Sequence, residues 1–251
     1  MAIEGFDFGA ELESAGGFKR ENPVEGLHAA RLLSIIHVGR CVRKYQGKDK
    51  SPCNSVVAVF ELKEESDVHS ETGEPLTFTV DFDLKDGDKS YLNTKFLPAL
   101  LTKAELESGS IKGFDDLIGK ACQLDLIGSK AQNDDGTPKY VNLKAMSPMH
   151  PKLQAVTDPL KAAGAGHCRL SQLNATAMDE LNPYLHVQML MMTSEEWKAG
   201  THPGIALVEA IRKERPDYAK AKASAEETAG GAQAQAAAAA PAEKLSTEEE
   251  F

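Results

Sequence analysis

A chain of 251 residues, 41% hydrophobic and 26% charged, can bury a substantial core, which excludes a wholly unstructured polymer. Its four cysteines form no CxxC pair, and apolar runs such as Leu185 to Met192 are far short of the roughly 20 residues that cross a bilayer. A disulfide-rich scaffold and a helical membrane protein are thereby excluded, and a soluble, cytoplasmic protein with reduced thiols is expected. The net charge of -10 argues against a polyanionic partner only until its distribution is read. From Leu27 to Lys50 the chain carries Arg31, Arg40, Arg43, Lys44, Lys48 and Lys50 against Asp49 alone.

Residues 1–22 read as a flexible, acidic and glycine-bearing arm. Gly26 to Val38 is a long apolar segment with β-branched residues, read as a first and curved strand ended by Gly39, and Arg40 to Ser51 follows as a basic loop. Val56, Ala58, Phe60 and Leu62 alternate with Val57, Val59, Glu61 and Lys63. After an acidic loop, Leu76, Phe78, Val80, Phe82 and Leu84 alternate with Thr77, Thr79, Asp81 and Asp83. A period of two places one set inward and the other in water, so the two segments predict a hairpin.

Between Ser90 and Ile118 the spacing turns helical: Leu92, Phe96 and Leu100 lie four apart, Pro98 breaks the run, and Thr102 with Glu105 has capping-box spacing. Gly119 to Ile127 is a fourth strand. Asp135-Gly136 marks a turn into a fifth, where Val141, Leu143 and Ala145 face inward. The predicted fold is therefore mainly β over residues 23–149: a five-stranded OB-fold-like barrel with a helix between strands 3 and 4.

Residues 150–215 predict an α/β elaboration on the barrel. It has a turn at Gly164-Ala165-Gly166, a strand at Leu185 to Met192, and a helix opened by Thr193 or Ser194 with Trp197, Ile205, Val208 and Ile211 as its stripe. Gly200, Pro203 and Gly204 predict a break before Ile205. Residues 216–251 are an Ala-rich linker and acidic tail too poor in apolar surface to offset the entropy of ordering.

A binder of unpaired strands without sequence preference needs cations along the phosphates and aromatic faces on which bases stack, each stack contributing roughly 1–3 kcal/mol. Arg40, Arg43, Lys44, Tyr45, Lys48 and Lys50 supply both in one loop. Tyr140 and Lys144, with Lys130 and Lys139 beside their turn, supply a second patch. Asp81 and Asp83 disagree, because outward carboxylates on the third strand would repel phosphates.

The five-strand pattern over Gly26 to Met149, together with the acidic tip ending in Phe251, resembles the single-stranded DNA-binding proteins of bacteriophages, the podophage type in particular. The resemblance implies a barrel that coats single-stranded DNA in replication or recombination. It also implies a tail that competes with DNA for the groove, and it makes Glu248, Glu249, Glu250 and Phe251 the residues that recruit a polymerase, helicase, nuclease or recombinase.

Two other classes compete. Glu61-Leu62-Lys63 matches the E-x-K element of metal-dependent nucleases, which needs a further acid on a neighbouring strand. A virion or scaffold protein would use the tail for solubility and the helix from Ile205 to Lys213 for contacts in a homo-oligomer. Asp81, Asp83, Asp86 and Asp88 lack the glycine and spacing of a calcium loop. His150, His167, Cys168, His186 and His202 lack zinc spacing. No metal, cofactor or covalent chemistry is expected.

Overall fold

The computed structural model describes residues 21–133, 136–150, 160, 164–181 and 185–214. Its spine is β1 (Gly26–Cys41), which continues three residues past the sequence-predicted end at Val38. The hairpin of β2 (Lys44–Tyr45) and β3 (Lys48–Asp49) follows, then β4 (Cys53–Leu62) and β5 (Thr77–Asp83). The strands β6 (Ala121–Gly128) and β7 (Val141–Pro148) complete an antiparallel sheet in the order β5-β4-β1-β6-β7. It curls into a half-barrel.

The curl has a local cause. Register shifts between Leu32 and Ser34, and between His37 and Gly39, insert bulges into β1, and a bulge bends its strand and raises the local twist. The first bulge also explains the unbroken apolar run: it sets Leu32 and Ile35 on one face, three residues apart, and turns Leu33 and Ile36 to the other. Alternation on β4 works the same way, with Val56, Ala58 and Phe60 in one core and Val57 and Val59 in a second. Both faces of β1 and β4 are covered, as continuous apolar strands require. The outer set therefore does not lie in water as its alternation predicts: Val57, Val59 and Thr79 are all buried.

The predicted hairpin is present, with Val56 opposite Phe82, Ala58 opposite Val80 and Phe60 opposite Phe78. The segment after β5 closes the inner core. A π-helical turn, Leu92–Phe96, runs directly into α1 (Leu97–Leu100) and drives the Phe96 ring to 4.7 Å from Phe82 and 6.3 Å from Phe60. Pro98 does not break this run. Leu97 N–H reaches back to Leu92 across the widened turn, and Pro98, with no N–H to place, sits in the first turn of α1. The predicted capping box of Thr102 and Glu105 opens α2 (Lys103–Ser108).

On β7, Val141 and Leu143 pack on the core, but Ala145 is exposed and Met146 takes the inward place. The register passes from Leu143 opposite Leu126 to Ala145 opposite Asp125, so Lys144 is bulged and the faces exchange beyond it.

The second face is covered by residues 164–214. Beyond Arg31, β6 no longer pairs with β1, and β8 (Gly166–Cys168) takes the vacated edge, parallel to Ser34–Ile36. Gly164-Ala165-Gly166, expected as a loose turn, is fixed there: a Cβ on Gly164 would lie 2.6 Å from the Leu33 side chain. The helices α3 (Ala175–Leu181), α4 (Leu185–Met192), α5 (Glu195–Lys198) and α6 (Ile205–Glu214) pack over Val57 and Val59 through Met178, Leu181, Val187, Met191 and Val208. Leu185–Met192 is a helix and not the predicted strand. Its Leu and Met residues favour helix, and burial of Val187, Gln188 and Met191 follows helical spacing. Ser194 caps α5 by accepting from Trp197 N–H at 3.1 Å, and the predicted break before Ile205 is present. Among the described residues no helix is long and apolar enough to cross a membrane.

Candidate nucleic-acid interface

The expected basic loop is a β-hairpin. Gln46 (φ 50) and Gly47 (φ 75) both take left-handed backbone angles, as a two-residue turn matched to strand twist requires. Lys50 N–H donates to Arg43 C=O at 2.8 Å and closes the root. Lys44, Lys48 and Lys50 are exposed, and among the described residues none of them lies within ion-pair distance of a carboxylate. Tyr45 is 43% exposed, with Lys50 Nζ 4.6 Å from its ring centroid. This is the cation-over-aromatic arrangement in which each group keeps the other in place at the surface.

Arg43 differs from its neighbours. Its side chain is only 12% exposed; Nη1 donates to Asp81 at 2.6 Å and Nε to Asp83 at 2.7 Å. Burial works against its charge, but the two carboxylates outweigh burial and hold its pKa above the ordinary value. Ser55 Oγ donates to Asp83 at 3.0 Å. The carboxylates that the sequence sets against phosphate are thus both paired with one guanidinium, with Lys85 also 3.5 Å from Asp83, and the residue expected to meet phosphate anchors the hairpin to β5. Arg40 is likewise occupied, with Nε 2.8 Å from Glu195 and its backbone N–H donating to Glu196 at 2.9 Å.

The second patch is separate. Tyr140 is 54% exposed with Lys139 Nζ 5.6 Å from its ring centroid, Lys130 is exposed, and Lys144 pairs with Asp125 at 2.9 Å. The β6–β7 turn stands beside Gly26 at the start of β1, whereas the β2–β3 hairpin follows its end at Cys41. The two tyrosines therefore flank the length of β1. Between them, the outer face of β4 lies under α3, α4 and α6, so any strand path over that face is closed. The sequence signal for this cover was the unbroken run Val56-Val57-Ala58-Val59, which one covered face does not need.

Glu61 and Lys63, the nuclease-like pair, are both buried and joined by a hydrogen bond from Lys63 Nζ to Glu61 Oε1, with Arg31 opposite Glu61 on β1. Among the described residues no three His, Cys, Asp or Glu side chains are grouped to hold a metal ion. Asp86 accepts from Gly87 N–H, while Asp81 and Asp83 serve Arg43. His167 bonds Asp115 at 3.0 Å, and His202 Nε2 donates to Val38 C=O at 3.2 Å.

One site was not legible in the sequence. His28 and Asp67 are both buried; His28 Nδ1 donates to Asp67 at 2.8 Å and Nε2 to Val24 C=O at 2.9 Å. An imidazole that donates from both nitrogens carries a charge, and the bond to Asp67 raises its pKa against burial. The tail residues Glu248, Glu249, Glu250 and Phe251, the arm 1–20, Asp135 and the side chain of Ile211 lie outside the described residues.

Comparison with protein-family models, with curated proteins and with solved structures returns no match for this chain.

Proposed function

We propose that this protein binds single-stranded DNA without strong sequence preference, as a coating protein of replication or recombination, and that its half-barrel is an OB-type barrel left open at one seam. The strand order supports the fold reading: the five long strands, numbered among themselves in chain order, run 3-2-1-4-5 across the sheet, as in an OB barrel whose strands 3 and 5 do not meet. One observation carries the functional reading: two half-exposed tyrosines, Tyr45 and Tyr140, each with a lysine ammonium against its ring, on the two loops that flank β1. A base has a π-face whatever its identity, and a lysine beside the stack meets the adjoining phosphate.

The contacts on this reading are Lys44, Tyr45, Lys48 and Lys50 at one end, and Lys139 with Tyr140 at the other. Arg40, Arg43 and Lys144 hold these loops in place through carboxylates. DNA follows the rim of the sheet, since the face between the loops is taken by helices.

Fluorescence anisotropy with labelled single-stranded and duplex oligonucleotides, in Mg²⁺ so that cleavage is also seen, tests the proposal. Tighter binding of the single strand, with the oligonucleotide intact, is expected. Equal or absent affinity, or cutting, overturns it.

A further inference from the structure

All four cysteines are free thiols. Two of them are directly opposite one another: the register of β1 and β4 pairs Cys41 with Cys53 at the root of the β2–β3 hairpin. Opposed residues of an antiparallel pair share a face, and both lie on the helix-covered side, Cys41 in the second core and Cys53 in phase with Val57 and Val59.

The type of pair follows from the neighbouring hydrogen bonds. Arg40 donates its N–H to Glu196 at 2.9 Å, and Asn54 C=O accepts from Leu84 N–H at 2.7 Å, so these opposed residues turn their backbone groups away from each other. Alternation then makes Cys41 and Cys53 a hydrogen-bonded pair, whose Cα atoms stand about 5.5 Å apart. That lies inside the span of about 4.4–6.8 Å that a disulfide bridges. Cys41 gives up weak bonds of 3.6 Å to the carbonyls of Val38 and Gly39 and its interactions with the Ser55 and Thr193 hydroxyls, and Cys53 gives up one of 3.6 Å to the carbonyl of Leu84. Neither remaining cysteine competes by register: Cys122 is opposite Ala30 and Pro148, and Cys168 opposite Ile36.

We propose that Cys41 and Cys53 are a redox modification site, forming a reversible disulfide that staples the root of the basic hairpin through exchange with a small-molecule disulfide of the glutathione class. The partly buried Cys53, the more accessible of the two, attacks one sulfur of the oxidant as its thiolate and expels a small thiolate. The Cys41 thiolate then attacks the Cys53 sulfur of this mixed disulfide and releases the second small thiolate. Two protein thiols are oxidised, one small disulfide is reduced to two thiols, and the two protons pass to those thiols.

Burial pushes the Cys41 thiol up to about 11, so closure is slow at neutral pH and quickens as pH rises. A hydrogen-bonded pair must also draw its Cβ atoms together to reach the roughly 3.5–4.5 Å that the bond needs, and the resulting strain makes it easy to reduce. Both properties suit a switch more than a permanent brace. The inference rests on the fold alone, so it stands or falls separately from DNA binding.

The test treats the native full chain with oxidised glutathione, alkylates remaining thiols under denaturing conditions, digests, and identifies linked peptides by mass. A Cys41–Cys53 peptide that disappears with dithiothreitol is expected, with Cys122 and Cys168 alkylated. Cys41→Ser should stop at the mixed disulfide on Cys53, and Cys53→Ser should give neither product. Tryptic cutting after Lys44 and Lys48 should slow in the oxidised wild type. Recovery of both thiols alkylated, arrest of the wild type at the mixed disulfide, or a linkage to Cys122, to Cys168 or between molecules overturns the proposal.

Discussion

Arg43 and Tyr45 are two residues apart and take different roles. Removing Arg43 takes the main cation from the partly buried Asp81 and Asp83 and leaves Asp83 the more distant Lys85 at 3.5 Å; breaking a buried ion pair from one side costs about 3 kcal/mol. Arg43→Ala should therefore lower the thermal midpoint markedly. Tyr45→Ala should leave the midpoint in place and weaken single-strand affinity by about 1–3 kcal/mol, the contribution of one stacked base. Thermal unfolding and anisotropy on the same two variants check both. An Arg43 variant of wild-type stability, or a Tyr45 variant of wild-type affinity, contradicts the assignment. From the sequence the two residues look alike, a cation and an aromatic in one basic run. What separates them is the pairing of β4 with β5, which carries Asp81 and Asp83 to the side chain of Arg43.

His28 gives the molecule a pH signature of known sign. Its folded pKa lies above the unfolded value of about 6.5, so its contribution is fully present below that pH and is lost as pH rises through the folded pKa. Burial lowers the pKa of His37 and His202, whose contributions run the other way, present above about pH 6.5 and lost on acidification. Comparing unfolding midpoints of wild type and His28→Gln between pH 5.5 and 8.5 isolates the first term. The stability gap should be widest at the acid end and should close as pH rises; a gap that widens with pH would refute the charged imidazole.

At the scale of elements, the second face decides what can be separated. The sequence suggests residues 23–149 as a barrel with residues 150–215 as an addition, but β8 belongs to the same sheet and the second core rests on the back of β1 and β4. Stripping that layer would expose Leu33, Ile36, Val38, Val57 and Val59, each worth about 1.5–3 kcal/mol of burial. Their sum is comparable to the whole stability of an ordinary domain, about 5–15 kcal/mol. A chain ending at His150 should show no cooperative melt and should aggregate; a soluble, cooperatively folding fragment would contradict this. The strands were legible because alternation and turn residues are local signals, as in the Phe78-Val80-Phe82 face of β5. The helix Leu185–Met192 was not, because Leu185, Val187, Met189 and Met191 also alternate, and only packing on the sheet selects between the two periods. The bulge at Lys144 was equally hidden, since nothing in Leu143-Lys144-Ala145-Met146 marks which residue is extra.

For the whole molecule, charge is divided. The hairpin presents Lys44, Lys48 and Lys50 to solvent, while the overall balance is -10 and the last residues are Glu248, Glu249, Glu250 and Phe251. On the proposed reading the acidic tail competes with DNA, and a tether gives such a competitor an effective concentration in the millimolar range. Deleting Ser246 to Phe251 should therefore tighten single-strand binding at low salt; unchanged or weaker affinity in a titration at fixed salt would refute the competition.

The most direct measurement is the salt dependence of single-strand affinity in wild type and in a variant with Lys44, Lys48 and Lys50 all changed to Gln. Each neutralised phosphate contributes a slope of about -0.7 in log affinity against log salt, so contacts through these three lysines and Lys139 predict about -3 for wild type and about -1 for the variant. A wild-type slope near zero, or the same slope in both proteins, would contradict a DNA interface built on the β2–β3 hairpin.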